Sequence, residues 1–255
     1  MQLISNVGDR VLARGRAESP YRLRLAATRE DVRAAQTLRF LVFNLELNEG
    51  LEQSYATCLD ADPFDDVCDH LLVEDVRTAE VVGTYRMQTG AKAAAGRGYY
   101  SGQEFDLTPL EPMRGQILEL GRACVHLQHR NLAVLGMLWK GISDYARAAG
   151  VSCLIGCSSV TSQDPAVGAA MYAALQSRHL APEPWRVQPV PAWACSLEQR
   201  LEKAPKVPKL LAAYLSLGAC ICGPPAIDRD FKTIDFLTFL DLRTLPESMV
   251  RRYLT

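Results

Sequence analysis

Three arginines interrupt otherwise apolar stretches of this chain: Arg39 in TLRFLVFNLE, Arg86 in VVGTYRMQ and Arg122 in ILELGRACVHLQHR. A guanidinium inside a core is costly unless a partner neutralises it. The loop CLDADPFDDVCDH, residues 58–70, offers Asp60, Asp62, Asp65, Asp66 and Asp69. It reads as a solvated turn-rich loop, as an acidic wall for a cationic substrate, or as the partner of the arginines. With Glu119 added, the set points to a buried ion-pair network, the kind of surrounding that shifts carboxyl pKa values at active sites. The loop is no calcium site: counting from Asp60, Phe64 falls at the fifth ligand position and Leu71 at the twelfth.

Glu119 and Arg122 are three residues apart. On a regular strand they face opposite sides. Only a bulge brings both to one cleft, and Gly121 between them is the easiest place for it. His126 and His129 stand at a strand end and read as hydrogen-bonded structural residues. GCSSV, residues 156–160, lacks the G-x-S-x-G pattern, so a serine hydrolase is discounted.

The elements that must position these groups alternate between period-2 and period-3.6 patterns. A strand is expected at 21–26, then a helix behind Thr28 with Asp31 as its capping-box partner, running to about residue 48 and ending at Gly50. HLLVEDV and EVVGTYRMQTG read as a hairpin turning near 77–80. AKAAAGRG reads as a flexible link and YYSGQEFDLTPL as a short helical turn. The Glu119 strand follows, then a helix over 131–149, a buried strand SCLIGCSSV, and a helix started by Asp164 and Pro165. Residues 185–195 are Pro-interrupted and read as an edge strand or loop. A helix at 208–217, a Gly-Pro-Pro turn and a last strand in KTIDFLTFLDL complete a mixed α/β order with an antiparallel front half.

Bulk properties exclude several classes. At 255 residues, 48% hydrophobic and net charge −1, the chain suits one large domain, or two small ones, with no general pull toward nucleic acid or anionic membrane. The start carries no secretory signal, and VPKLLAAYLSLGACICG falls short of the roughly 20 residues that span a bilayer. A cytoplasmic protein is expected, with surface contact at the membrane's inner face left open. The eight cysteines lie mostly in apolar runs, without paired C-x-x-C spacing, and read as buried hydrophobes with no metal role.

The set LRFLVF, DADPFD, HLLVED, VVGTYRM, YYSGQEFDL, LELGRACVH and GPPAIDRDFKTIDF resembles the ornithine-lipid and N-acyl amino acid synthases, often labelled hemolysin-like, of the GNAT acyltransferase superfamily. That family is similar in turn to the acyl-homoserine-lactone synthases, whose chains lack the YSGQEF and Gly-Pro-Pro segments. The resemblance runs from Tyr21 to the C-terminus. It implies a flexible segment at 1–20 and one GNAT-like α/β domain over 21–255, its mixed central sheet flanked by helices. It implies that Glu119 and Arg122 act in catalysis, that Arg39, Phe43, Asp62, Asp65 and Arg86 order or line the acceptor site, and that Cys124, Val125 and Arg130 lie along the acyl-pantetheine arm. The implied reaction moves a (3-hydroxy)fatty acyl group from acyl carrier protein to the α-amine of an amino acid, ornithine first, with no cofactor. An acyl-homoserine-lactone synthase is the alternative within the superfamily, and a non-enzymatic membrane-active protein the alternative outside it. One departure bears on the donor: RNLAVLG lacks the glycines that let a GNAT loop crowd a pyrophosphate, which favours a protein-borne donor over coenzyme A. The acidic loop is the reason to expect a cationic acceptor, and Leu132, Leu135, Leu138, Trp139, Met171 and Leu175 are the expected acyl-tunnel liners.

Overall fold

In the computed structural model, residues 19–245 are described. The expectation for 1–20 therefore lies outside them, apart from Ser19 and Pro20. β1 (Tyr21–Leu25) leads to Thr28, whose hydroxyl accepts from the Asp31 N–H while the Asp31 carboxylate accepts from the Thr28 N–H. That capping box starts α1 (Arg29–Phe40). The helix does not stay regular to residue 48: it passes into a π-helical turn, Leu41–Glu46. Such turns often sit at functional sites. After the short α2 (Ser54–Thr57), β2 (Asp69–Asp75) and β3 (Val81–Thr89) form the expected hairpin.

The AKAAAGRG stretch is not a flexible link. It forms α3 (Gly90–Ala95), because Thr89 caps the Lys92 N–H and alanine favours helix. A 3₁₀ turn, Tyr100–Gln103, and β4 (Phe105–Asp106) precede β5 (Ile117–Val125). Asn131 caps α4 (Leu132–Ala149), β6 (Cys153–Val160) follows, and Asp164 caps α5 (Pro165–His179). Between 185 and 195 only β7 (Gln188–Pro189) is a strand, paired with β4. The chain continues through α6 (Lys209–Ser216), β8 (Cys220–Ile221), β9 (Ala226–Asp228) and β10 (Thr233–Asp241).

The main sheet has the order β1-β2-β3-β5-β6-β10-β8, with β9 also on β10. Every neighbouring pair is antiparallel except β5 and β6. One core lies where Val134, Leu138, Trp139 and Ile142 of α4 meet the strands, and another where Met171 and Leu175 of α5 meet Ile234 and Phe236. What positions the site is the parallel pair. β5 and β6 pair only through Ile117↔Cys153, Leu118↔Leu154 and Glu119↔Ile155. Both strands run on past that point and part. Their last close approach is at Gly156, where an added Cβ would stand 2.3 Å from the Leu120 carbonyl oxygen.

Candidate active site

The parting strands leave a cavity of about 300 Å³. Glu119, Gly121, Arg122 and Ala123 of β5 and Ile155 to Ser159 of β6 form its walls. Phe43 reaches it from the π-helical turn, edge-on to Phe231 at 5.9 Å between ring centres. The far arm is apolar: Leu120, Leu154, Leu211, Tyr214, Ala219 and Leu240.

The bulge that Glu119 and Arg122 need is present. Arg86 pairs with Gly121 and Thr84 with Cys124, so three steps along β5 face two along β3. The left-handed residue is Arg122 itself, with φ 49°, rather than Gly121. Held there, a non-glycine residue carries backbone strain that the surroundings must sustain. The result puts Glu119 and Arg122 on one cavity.

The arginines and the loop aspartates form an alternating chain. Arg39, with 0% exposure, grips Asp65 with both forks, at 2.9 and 2.7 Å, and donates to the Asp60 carbonyl. Arg86 Nη1 donates to Asp65 at 2.9 Å and to Asp62 at 2.7 Å. Arg122 Nη2 donates to Asp62 at 3.0 Å, and its Nε stands 3.4 Å from the Asp60 carboxylate. Burial pushes the Asp65 and Asp62 carboxyls up, but Arg39 and Arg86 win at Asp65, and Arg86 and Arg122 at Asp62, so both end below the usual range. The acidic loop is therefore spent on arginines and offers no free wall to a cationic acceptor at Asp60, Asp62 or Asp65. Arg39 has both terminal nitrogens engaged. Arg86 Nη2, buried, has no hydrogen-bond partner among the described residues, and Arg86 lines the cavity. Arg122 lies 4.1 Å from the Phe231 ring centre and 4.7 Å from that of Tyr100.

Glu119 is not sealed in a salt link. Its carboxylate accepts from the Tyr100 N–H at 2.8 Å, and from the Ser101 N–H and hydroxyl, each at 2.7 Å. Burial pushes it up, against those donors and Arg86, and the net shift is upward. The carboxyl is thus moved toward the range where it can take a proton near neutral pH.

The residues matched to the pantetheine arm separate. Cys124 points away from the cavity, packed with Leu38 and Val42 under α1. His126 N–H donates to the Val82 carbonyl, so Val125, opposite Gly83, is at a non-hydrogen-bonded position and its own N–H points away from β3, to the side where β6 has left. Arg130 is held by Glu46 at 2.5 and 2.7 Å and by the Val125 carbonyl at 3.0 Å. The Asn131 side chain accepts from the Ala133 and Val134 N–H groups, filling the α4 terminus that a pyrophosphate would use. The expected tunnel liners are placed elsewhere: Leu132 is 74% exposed, and Leu135, Leu138, Trp139, Met171 and Leu175 belong to the two helix–sheet cores. Periodicity identified their buried face but not what the face was buried against.

Sequence reasoning missed Tyr100 and Ser101 as holders of Glu119. It also missed a second set of carboxylates, Glu104, Asp228 and Asp235, all buried beside the cavity. Their only signal was that YYSGQEFDL and GPPAIDRDFKTIDF place acids in otherwise apolar surroundings.

The parted parallel strands, the bulge and the charged pocket between them are those of an N-acyltransferase of the GNAT superfamily. Residues 38–140 match the model of the acetyltransferase (GNAT) domain. Two solved structures share the fold: FeeM, an N-acyl amino acid synthase from uncultured soil microbes, with a TM-score of 0.52 and 11% identity over 88% of this chain and 91% of that one, and the AHL synthase LasI, with 0.51 and 12% over 91% and 94%. At 35% identity the chain is similar to the L-ornithine N(alpha)-acyltransferase of Rhodobacter capsulatus, over 89% of this chain and 92% of the relative. The enzyme of the same name from Brucella abortus is 32% identical over 98% and 94%. This chain belongs to the L-ornithine N(alpha)-acyltransferase family.

Proposed function

We propose that the protein transfers a long-chain, 3-hydroxylated acyl group from an acyl carrier protein to the α-amine of ornithine, in one domain that extends from residue 21 to the C-terminus. The observation that carries this is the cavity between β5 and β6, with Glu119 and two arginines at one end and an apolar arm at the other. The acceptor's α-ammonium gives a proton to Glu119, directly or through water. The freed nitrogen attacks the thioester carbonyl. The oxyanion meets a backbone N–H of β5 on the Val125 side of the bulge. Collapse breaks the C–S bond, the attacking nitrogen gives its second proton to the pantetheine thiolate, Glu119 releases the first to water, and an amide remains. Arg86 Nη2, unpartnered and buried, suits the acceptor carboxylate.

The protein-borne donor is supported by the occupied α4 terminus, since a phosphopantetheine arm has no diphosphate to seat there. Among the described residues no helix is long and apolar enough to cross a membrane. A cytoplasmic enzyme with surface contact at the membrane's inner face is part of the same reading, because the product is a lipid. The test is incubation of the protein with 3-hydroxyacyl carrier protein or the matching acyl-CoA and single amino acids, with amides read by mass spectrometry. The expected result is N-acylornithine from the carrier-protein donor. Glu119→Gln should lower turnover by about 10²-fold or more. Absence of product with every amino acid and both donors overturns the reading.

A further inference from the structure

The cavity's charges do not balance. Asp60, Asp62 and Asp65 answer Arg39, Arg86 and Arg122. Beyond them, besides Glu119 on the Tyr100–Ser101 turn and Glu49, which accepts from the Thr161 hydroxyl, stand Asp228 and Asp235, which line the cavity, and Glu104 just behind Asp235 and Cys157. None of these three carboxyls makes an ion pair among the described residues. Asp228 is partly committed, since its Oδ1 accepts from the N–H groups of Asp230 and Phe231 at 2.9 and 2.8 Å. Asp235 Oδ1 has no hydrogen-bond partner, although the residue is only 4% exposed. Thr233 Oγ1, on the same strand and the same cavity wall, makes no hydrogen bond of normal geometry at 1% exposure, although it and the Ser159 hydroxyl stand close enough to favour the ionised Asp235. Buried polar atoms without partners are rare and call for an occupant. An occupant that satisfies a carboxylate pair and a hydroxyl together is a primary ammonium, with three donors and one charge.

Resting on the acyltransferase reading above, we infer that Asp235, with Asp228, Thr233 and Glu104 in support, forms the subsite for the side-chain ammonium of a diamino acid acceptor. The acceptor then spans the pocket, its carboxylate toward Arg86, its α-amine toward Glu119 and its second amine toward Asp235. This assigns the preference for a cationic side chain to β9, β10 and the turn between them, and not to the acidic loop. Burial first, and then the charge of Asp228 at both and of Asp235 at Glu104, push Glu104 and Asp235 upward, Asp235 to about 6 against the Ser159 and Thr233 hydroxyls and Glu104, which hold it down. Arg122 is the nearby fixed cation, but Asp62 and the Phe231 ring hold its guanidinium.

The test compares kcat/KM for ornithine and norvaline, which is ornithine without the terminal amine, in the wild type and in Asp235→Asn. The wild type should favour ornithine by on the order of 10²-fold or more, as a site built around a polar group rejects the analogue lacking it. In Asp235→Asn that ratio should collapse through a rise in KM for ornithine, with norvaline turnover retained. Glu104→Gln should shift the ratio in the same direction, and it serves if Asp235→Asn fails to fold. Wild-type protein that acylates norvaline as well as ornithine overturns the subsite while leaving the acyltransferase intact. An unchanged ratio in both folded variants does the same, as does a stoichiometric metal ion in the purified protein that Asp235→Asn loses. Failure to acylate any amino acid would instead remove the reading on which the subsite rests.

Discussion

Glu119 shows how one residue's chemistry is set by donors that lie elsewhere in the sequence. The Ser101 hydroxyl and two backbone N–H groups hold down a carboxyl that burial pushes up. Ser101→Ala removes one of these donors from the charged form, so the Glu119 pKa rises. A base works when deprotonated, so the acid limb of the kcat profile should move to higher pH, by about one unit. The profile of kcat against pH checks this, and an unmoved limb would remove Glu119 as the base. Asp65 is the most connected of the acids, shared by Arg39, Arg86 and Gln36. Asp65→Asn leaves two buried guanidiniums short of a counter-charge. It should cost about 3–5 kcal/mol in denaturant unfolding, whatever it does to turnover.

At the scale of elements, the site exists because two parallel strands stop pairing. Gly156 sets the point of separation, since its missing Cβ lets the Leu120 carbonyl approach. Gly156→Ala pushes a methyl group against backbone that cannot rotate away. It should cost about 2–3 kcal/mol in denaturant unfolding, with loss of activity to match. On the other side of β5, the bulge at Arg122 turns two residues of opposite parity onto one wall. The possibility was legible from Gly121 and from the spacing of Glu119 and Arg122. Which residue takes the left-handed conformation was not, because that depends on Asp60 and Asp62 holding the guanidinium in place.

Across the whole molecule, the cavity joins a charged end to an apolar arm bounded by Leu120, Leu154, Leu211, Tyr214, Ala219 and Leu240. These come from β5, β6, α6, β10 and the residue just before β8. Ala219→Phe places a ring in that arm. With donors of graded acyl length, it should shift product toward shorter chains and leave the amino-acid KM near the wild-type value. Mass spectrometry of the amides reads the length distribution. An unchanged distribution would put the acyl chain elsewhere.

The sequence by itself determined the elements with strong local signals. The Thr28–Asp31 capping box, the Asp164–Pro165 helix start and the alternation in KTIDFLTFLDL all appear where their chemistry requires them, because each signal is satisfied by neighbours along the chain. It also determined that Arg39, Arg86 and Arg122 need acids and that the 58–70 loop could supply them. Only the tertiary structure decided how those charges are matched. Pairing consumed the loop's three inner aspartates and left Glu104, Asp228 and Asp235, carried by distant segments, among the carboxyls without an ion pair. A charge balance is a sum over neighbours in space, and no spacing along one segment carries it.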